Sequence, residues 1–181
     1  MKTKREYKSI FRILSHGRVG LFVSGVLASL FCANNAYALP QGGQLKDGQA
    51  AISLPSSTQM NINQASNRAI IDWHSFNIAA NEKLNIVQPS SNAMLLSRVV
   101  GNDPSKIFGQ ITANGGLMLI NQNGILFGKG SRVDVAALVA STANIKNEDF
   151  MAGKMRFMTP SNPNAKIINE GTITAKFGDL S

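Results

Sequence analysis

Residues 39–181 predict an all-β chain that turns often. No strong helical stretch of any length runs through them, short β-branched runs recur, and Asn, Gly, Ser and Thr separate those runs. Asn and Gly accept the left-handed backbone angles of tight corners, so frequent strands come with frequent changes of direction. A parallel β-helix and an ordinary sandwich both meet this description.

The chain has 181 residues and a formal charge of +8, enough for one domain or part of a larger one. The charge is unevenly placed. Lys2, Lys4, Arg5, Lys8, Arg12 and Arg18 stand against Glu6 alone in residues 1–38, leaving 12 of the 18 basic and 9 of the 10 acidic residues for the rest. A net +3 beyond residue 38 gives no ground for a nucleic-acid partner. Val19–Phe31 is a 13-residue run without charge, and Ala36-Tyr37-Ala38 follows it with small residues at both critical positions. Basic, apolar and A-x-A regions in that order predict a long signal peptide, 1–38, cut after Ala38. The run is shorter than the roughly 20 apolar residues of a spanning helix. Cleavage removes Cys32 and His16, so residues 39–181 can form no internal disulfide and hold no thiolate metal site. No metal or cofactor is expected.

Ile71 and Trp73 share one face of a strand, whereas Phe76 and Ile78 have the opposite parity. All four can pack inward as core or cap only if the chain bends near His74-Ser75. Leu117, Leu119, Ile125 and Phe127 keep one parity across Asn121-Gln122-Asn123-Gly124. Asn123-Gly124 is a strong hairpin signal, with a wider corner in a coil as the competing interpretation. Val133 and Val135 then resume alternation before the apolar run Ala136–Ala140.

A loose repeat favours the coil. Gly109-Gln110-Ile111-Thr112-Ala113 is echoed by Gly171-Thr172-Ile173-Thr174-Ala175, and Ile111 and Val133 lie 22 positions apart. Each circuit of chain would form one rung, burying its branched residues against the rungs on either side. Thr159–Asn164 is a loop by composition, and Met151, Met155 and Met158 beside it are expected to pack rather than ligate. Lys166–Gly171 opens a further strand–turn–strand unit. A coil that stops near Ser181 would leave strand edges unpaired, so residues 39–181 are expected to be an incomplete domain.

Catalytic constellations are weak, and no catalytic residue is assigned. His74 is the only histidine beyond residue 38, and no G-x-S-x-G elbow accompanies it and Asp72. It is expected to face solvent or cap a turn. Gly124–Ser131 has three residues between its first two glycines and Gly130 after Lys129, which is not a phosphate-binding loop. Paired carboxylates of the kind that cleave polysaccharides would have to come from Glu148-Asp149, which point apart in an extended segment. Trp73 could stack a sugar, but between Ile71 and Phe76 a core role is the better reading. A secreted β-helix enzyme acting on polysaccharides remains the alternative.

Several patches together resemble the amino-terminal secretion domain of two-partner-secretion exoproteins, the filamentous-haemagglutinin and high-molecular-weight-adhesin type of Gram-negative bacteria. They are Met60-Asn61-Ile62, Ile70 to Ile78, Arg98-Val99, Gly109-Gln110-Ile111, Asn114-Gly115, Leu119 to Ile125, Val139 to Thr142 and Ile168 to Ile173. The family's hallmark is Asn-Pro-Asn-Gly followed by Ile or Leu. Asn121, Asn123, Gly124 and Ile125 match it, and Gln122 replaces the proline that would pre-set the backbone. The related Asn162-Pro163-Asn164 lacks the glycine. No Asn-Pro-Asn-Leu segment is present, which fits the adhesin branch.

The resemblance implies a right-handed parallel β-helix with extra strands capping its amino-terminal end. It implies a non-enzymatic export-targeting role, with Asn121, Asn123, Gly124 and Ile125 as the transporter-recognition and folding motif. The implied partners are the Sec machinery and a dedicated outer-membrane β-barrel transporter met in the periplasm. Host-cell or surface receptors would be reached only through a downstream passenger. The implied destination is the medium or the outer-membrane surface.

Overall fold

A computed structural model describes residues 38–160 and 162–176. The expected signal peptide lies outside the described residues, Ala36 included, except for Ala38 at its end. Two strands lead, β1 (Gln44–Asp47) and β2 (Ala50–Ser56). The chain then repeats a circuit. Its first pass is β3 (Gln59–Gln64), β4 (Arg68–Trp73) and a single bridge at Ile78. The second is β5 (Lys83–Val87), β6 (Met94–Val99) and β7 (Ser105–Ile107). The third is β8 (Gln110–Ala113), β9 (Gly116–Asn121) and β10 (Ile125–Phe127). The fourth is β11 (Arg132–Val135), β12 (Ala137–Ser141), an excursion carrying the helix α1 (Asn147–Met151), then β13 (Ile167–Asn169). A last strand, β14 (Thr172–Ala175), begins another pass.

Successive circuits stack in parallel and form three sheets, ordered β14-β11-β8-β5-β3-β2, β1-β4-β6-β9-β12 and β13-β10-β7. This is a parallel β-helix, as expected. The leading strands are the exception: β1 runs antiparallel to β4 and β2 antiparallel to β3, closing the amino-terminal end.

Period-two alternation decides what each strand buries. Met60, Leu84, Ile111, Val133 and Ile173 stand in direct register and form one inward stack. Ile111 and Val133 are therefore partners on adjacent rungs, as their 22-residue separation suggested. The echoed glycines are explained by the same stacking. A Cβ on Gly109 would lie 2.3 Å from the carbonyl oxygens of Ala79 and Glu82, and one on Gly171 would lie 2.0 Å from Ser131 Oγ. Only glycine lets the backbone pass that close to the previous rung. The irregular period also has a cause, because the excursion after β12 lengthens one circuit to the 40 residues between Val133 and Ile173.

The strand β9 is buried along its whole length. Leu117 and Leu119 face the inner core, while Met118 and Ile120 join Ile70, Leu96, Ile145 and Phe150 in a second cluster on the sheet's outer side. A strand covered on both faces reads as a continuous apolar run, which Leu117–Ile120 is. The cover comes from the excursion.

Of the two readings of Asn123-Gly124, the coil corner is the one found, because β9 and β10 lie in different sheets. Two sequence expectations are corrected. Glu148 and Asp149 sit in the first turn of α1 and not in an extended segment; adjacent on a helix, they still do not face one another. Met151 packs on the outer cluster, but Met155 and Met158 are 46% and 41% exposed and do not pack as expected.

Candidate functional site

The corner between β9 and β10 is where the chain must leave one sheet and enter the next within three residues, Gln122 to Gly124. Asn121 ends β9 fully buried, in register with Val99 and, one rung further, Trp73. An amide in such a place must find partners for both ends. Its Nδ2 donates to the Asp103 carbonyl and to Ser105 Oγ, both at 3.0 Å, and its Oδ1 accepts the Asn123 amide at 2.9 Å. Asn123 Nδ2 donates to the Gly101 carbonyl at 2.9 Å. Both asparagines thus tie this corner to the equivalent corner of the preceding rung.

Gly124 closes the turn. Its amide donates to the Asn121 carbonyl at 3.1 Å, and its carbonyl accepts the Ser105 amide at 3.0 Å. Its φ of 112° is one that L side chains rarely adopt, and an added Cβ would stand 2.9 Å from the Lys166 carbonyl. That same carbonyl accepts the Ile125 amide at 3.0 Å, so the corner is clasped from the following rung as well. Ile125 then buries its side chain in the core. The four motif residues are brought together, with the amide nitrogens of both asparagine side chains engaged in holding the fold.

Gln122 and Asn123 line the wall of a polar recess of about 430 Å³ with Arg98, Val100, Gly101, Asn102 and Asn144. The recess sits over a network that sequence reasoning missed. Arg98 Nε donates to Asp72 Oδ1 at 2.8 Å, with the two side chains 11% and 14% exposed. Its other nitrogens reach Asn144 Oδ1, the Ile145 carbonyl and Asn147 Oδ1 at 3.3, 3.1 and 2.6 Å. One guanidinium therefore fixes the start of the excursion to the solenoid. Arg98 was visible in the sequence as part of a patch, but partners 46 to 49 residues away leave no local signal.

The remaining expected residues fall as follows. Ile71, Trp73, Phe76 and Ile78 are all in the inner core. The bend between the pairs is marked by the bridge from Ser75 to Gln41. Trp73 is 1% exposed, meets Phe76 edge to face at 5.8 Å, and leaves its Nε1 without a partner. It is not a sugar platform. His74 is exposed, and Asp72 is committed to Arg98, so the two form no catalytic pair. Ala38 is described and donates its amide to Glu82 Oε1 at 2.7 Å.

Comparisons with known proteins converge. A family model described as the TPS secretion domain matches residues 36–179. Two heme/hemopexin-binding proteins of Haemophilus influenzae, the second from strain Rd, are similar. The first is 32% identical over 144 residues, covering 77% of this chain and 15% of the relative; the second is 38% identical over 112 residues, covering 62% and 12%. The chain thus spans under one sixth of the length of these relatives. The crystal structure of the HMW1 secretion domain from Haemophilus influenzae superposes with a TM-score of 0.71 at 34% identity, over 75% of this chain and 36% of that one.

Proposed function

The chain belongs to the TPS secretion domain family, and from that membership we propose that residues 39–181 are the export-targeting part of an adhesin-like exoprotein. In this reading the Sec machinery carries the chain across the inner membrane and the leader is cut at Ala36-Tyr37-Ala38. A dedicated outer-membrane β-barrel transporter then engages the chain from the periplasm. Activity toward host cells, surfaces or a heme carrier such as the relatives' names describe would belong to a passenger that follows. The domain itself acts on no substrate.

The observation that carries the proposal is the burial of the corner motif. Asn121 is 0% exposed, and both asparagine amides are engaged with the previous rung. A partner cannot read the Asn121 side chain once the corner has closed, and Asn123, half-buried at the wall of the recess, has its amide nitrogen already committed to the Gly101 carbonyl. Recognition is therefore of the extended chain, which can add as a strand to an exposed sheet edge of the transporter, with alternate side chains supplying specificity. Closure of the corner at the far side would release the partner and stack the rung. The absence of cysteine after residue 38 suits passage of an unfolded chain.

Fractionation of cells making residues 1–181, with and without the cognate transporter, tests this. Transporter-dependent appearance in the medium is expected. Retention in the periplasm under both conditions would count against the proposal.

A further inference from the structure

Glu82 occupies a place that the architecture otherwise gives to uncharged residues. The residues preceding the parallel strands of the six-stranded sheet form a column of Thr58, Glu82, Gly109, Ser131 and Gly171, as the register of β3, β5, β8, β11 and β14 requires. Glu82 alone in that column is charged, and it is 1% exposed. Its Oε2 accepts the Ala79 amide at 2.7 Å and its Oε1 the Ala38 amide at 2.7 Å. Among the described residues no cationic side chain pairs with it. A carboxyl group buried among neutral donors lacks the cationic partner that buried acids ordinarily have, and a positive group placed there would supply it.

Such a partner is created by processing. Hydrolysis of the 38–39 peptide bond by water places the hydroxyl on the Ala38 carbonyl carbon and the proton on the Leu39 nitrogen, which ionises to a primary ammonium at neutral pH. It also removes the Ala38 amide, and with it the donor to Oε1. The Leu39 nitrogen lies one residue along the chain, about 3–4 Å away. The Leu39 side chain is only 6% exposed within the inner core, so the new terminus is anchored beside the vacated oxygen.

We propose that Glu82 is a binding site for the α-ammonium of the processed chain, an ion pair that forms only after cleavage and fixes the capped end of the solenoid. This rests on the reading that processing cuts after Ala38. In the uncleaved chain Glu82 holds a neutral amide, and in the mature chain a cation with three donors. The cap would thus be completed by removal of the leader.

The test uses processed protein recovered from the periplasm, with its terminus sequenced. Its α-amine is acylated at neutral pH with a neutral active ester, and the amino-terminal peptide is followed by mass spectrometry. The wild type should label about tenfold more slowly than the same protein unfolded in guanidinium, and Glu82→Gln should label close to the unfolded rate while Trp73 fluorescence still reports a folded core. Wild-type labelling at the unfolded rate would overturn the proposal, whatever the variant does. So would slow labelling that persists in Glu82→Gln. A terminus other than Leu39 would remove the proposed donor and overturn it too, without touching the export reading, which depends on the transporter experiment.

Discussion

Removing the Asn121 side chain is the sharpest test of the corner. In Asn121→Ala three hydrogen bonds disappear at a fully buried position. The Asp103 carbonyl belongs to an exposed residue and can turn to water, but Ser105 is 1% exposed and cannot. Ser105 Oγ and the Asn123 amide are the groups left unpaired, each costing about 1–3 kcal/mol. A loss of about 3 kcal/mol is expected, a large part of the 5–15 kcal/mol typical of a domain, and about 10 °C in melting temperature. Urea unfolding followed by Trp73 fluorescence measures it. A double-mutant cycle with Ser105→Ala isolates the bond between the two side chains, and a coupling of about 1 kcal/mol is expected, because removing both partners leaves no orphan hydroxyl. A loss below about 0.5 kcal/mol, with no coupling, would refute the claim that Asn121 holds the corner shut. The motif would then have to be read as a pure recognition sequence.

Other substitutions test neighbouring claims. Trp73→Ala should cost about 3–5 kcal/mol in the same unfolding experiment, since the ring is buried and packed edge to face on Phe76. Gly124→Val should cost at least about 1–2 kcal/mol from the positive φ alone, and should slow refolding or block secretion, because Lys166 gives its Cβ no room. Arg98→Ala should lower stability by about 2–3 kcal/mol, leaving Asp72 uncompensated, and should open residues 144–158 to limited proteolysis before the solenoid unfolds.

Much of the solenoid was legible because its logic is local. Alternation in Met60-Asn61-Ile62 and Arg132–Val135 names the inward residues, and the Gly109 and Gly171 echoes mark the same place on different rungs. The parity switch between Trp73 and Phe76 announced the bend that puts all four side chains in the core. The Asn123-Gly124 dipeptide was ambiguous, since positive φ serves a hairpin and a coil corner equally, and only pairing partners on other rungs separate them. The excursion was illegible for a different reason. A five-residue helix has no periodicity to detect, and its hold on the sheet comes from Phe150 and Arg98, whose contacts are all distant in sequence. Glu82 likewise looked like one of several scattered acids, because its burial depends on residues 38 and 79 reaching it together.

The two ends of the solenoid differ in a way that bears on how such a chain folds. At the capped end β1 carries Lys46 and Asp47 and a register break between Leu45 and Asp47. The outer strand there, β2, contains Pro55 and a second break between Ser53 and Ser56. Charge, proline and bulges are the devices that stop an edge from accepting another strand. The opposite edge, formed by β12, β13 and β14, has none of them: its strands read Ala-Leu-Val-Ala-Ser, Ile-Ile-Asn and Thr-Ile-Thr-Ala. Ile173 is only half-buried there although its register partners Val133 and Ile111 are buried. Pairing is thus disfavoured on one side and available on the other, so stacking can be extended in a single direction. For a chain emerging amino-terminus first, that direction is the order of arrival, and each rung could be buried as it appears rather than after release of the whole. The corner at Asn121 follows the same polarity, since its side chains bond to the rung already in place.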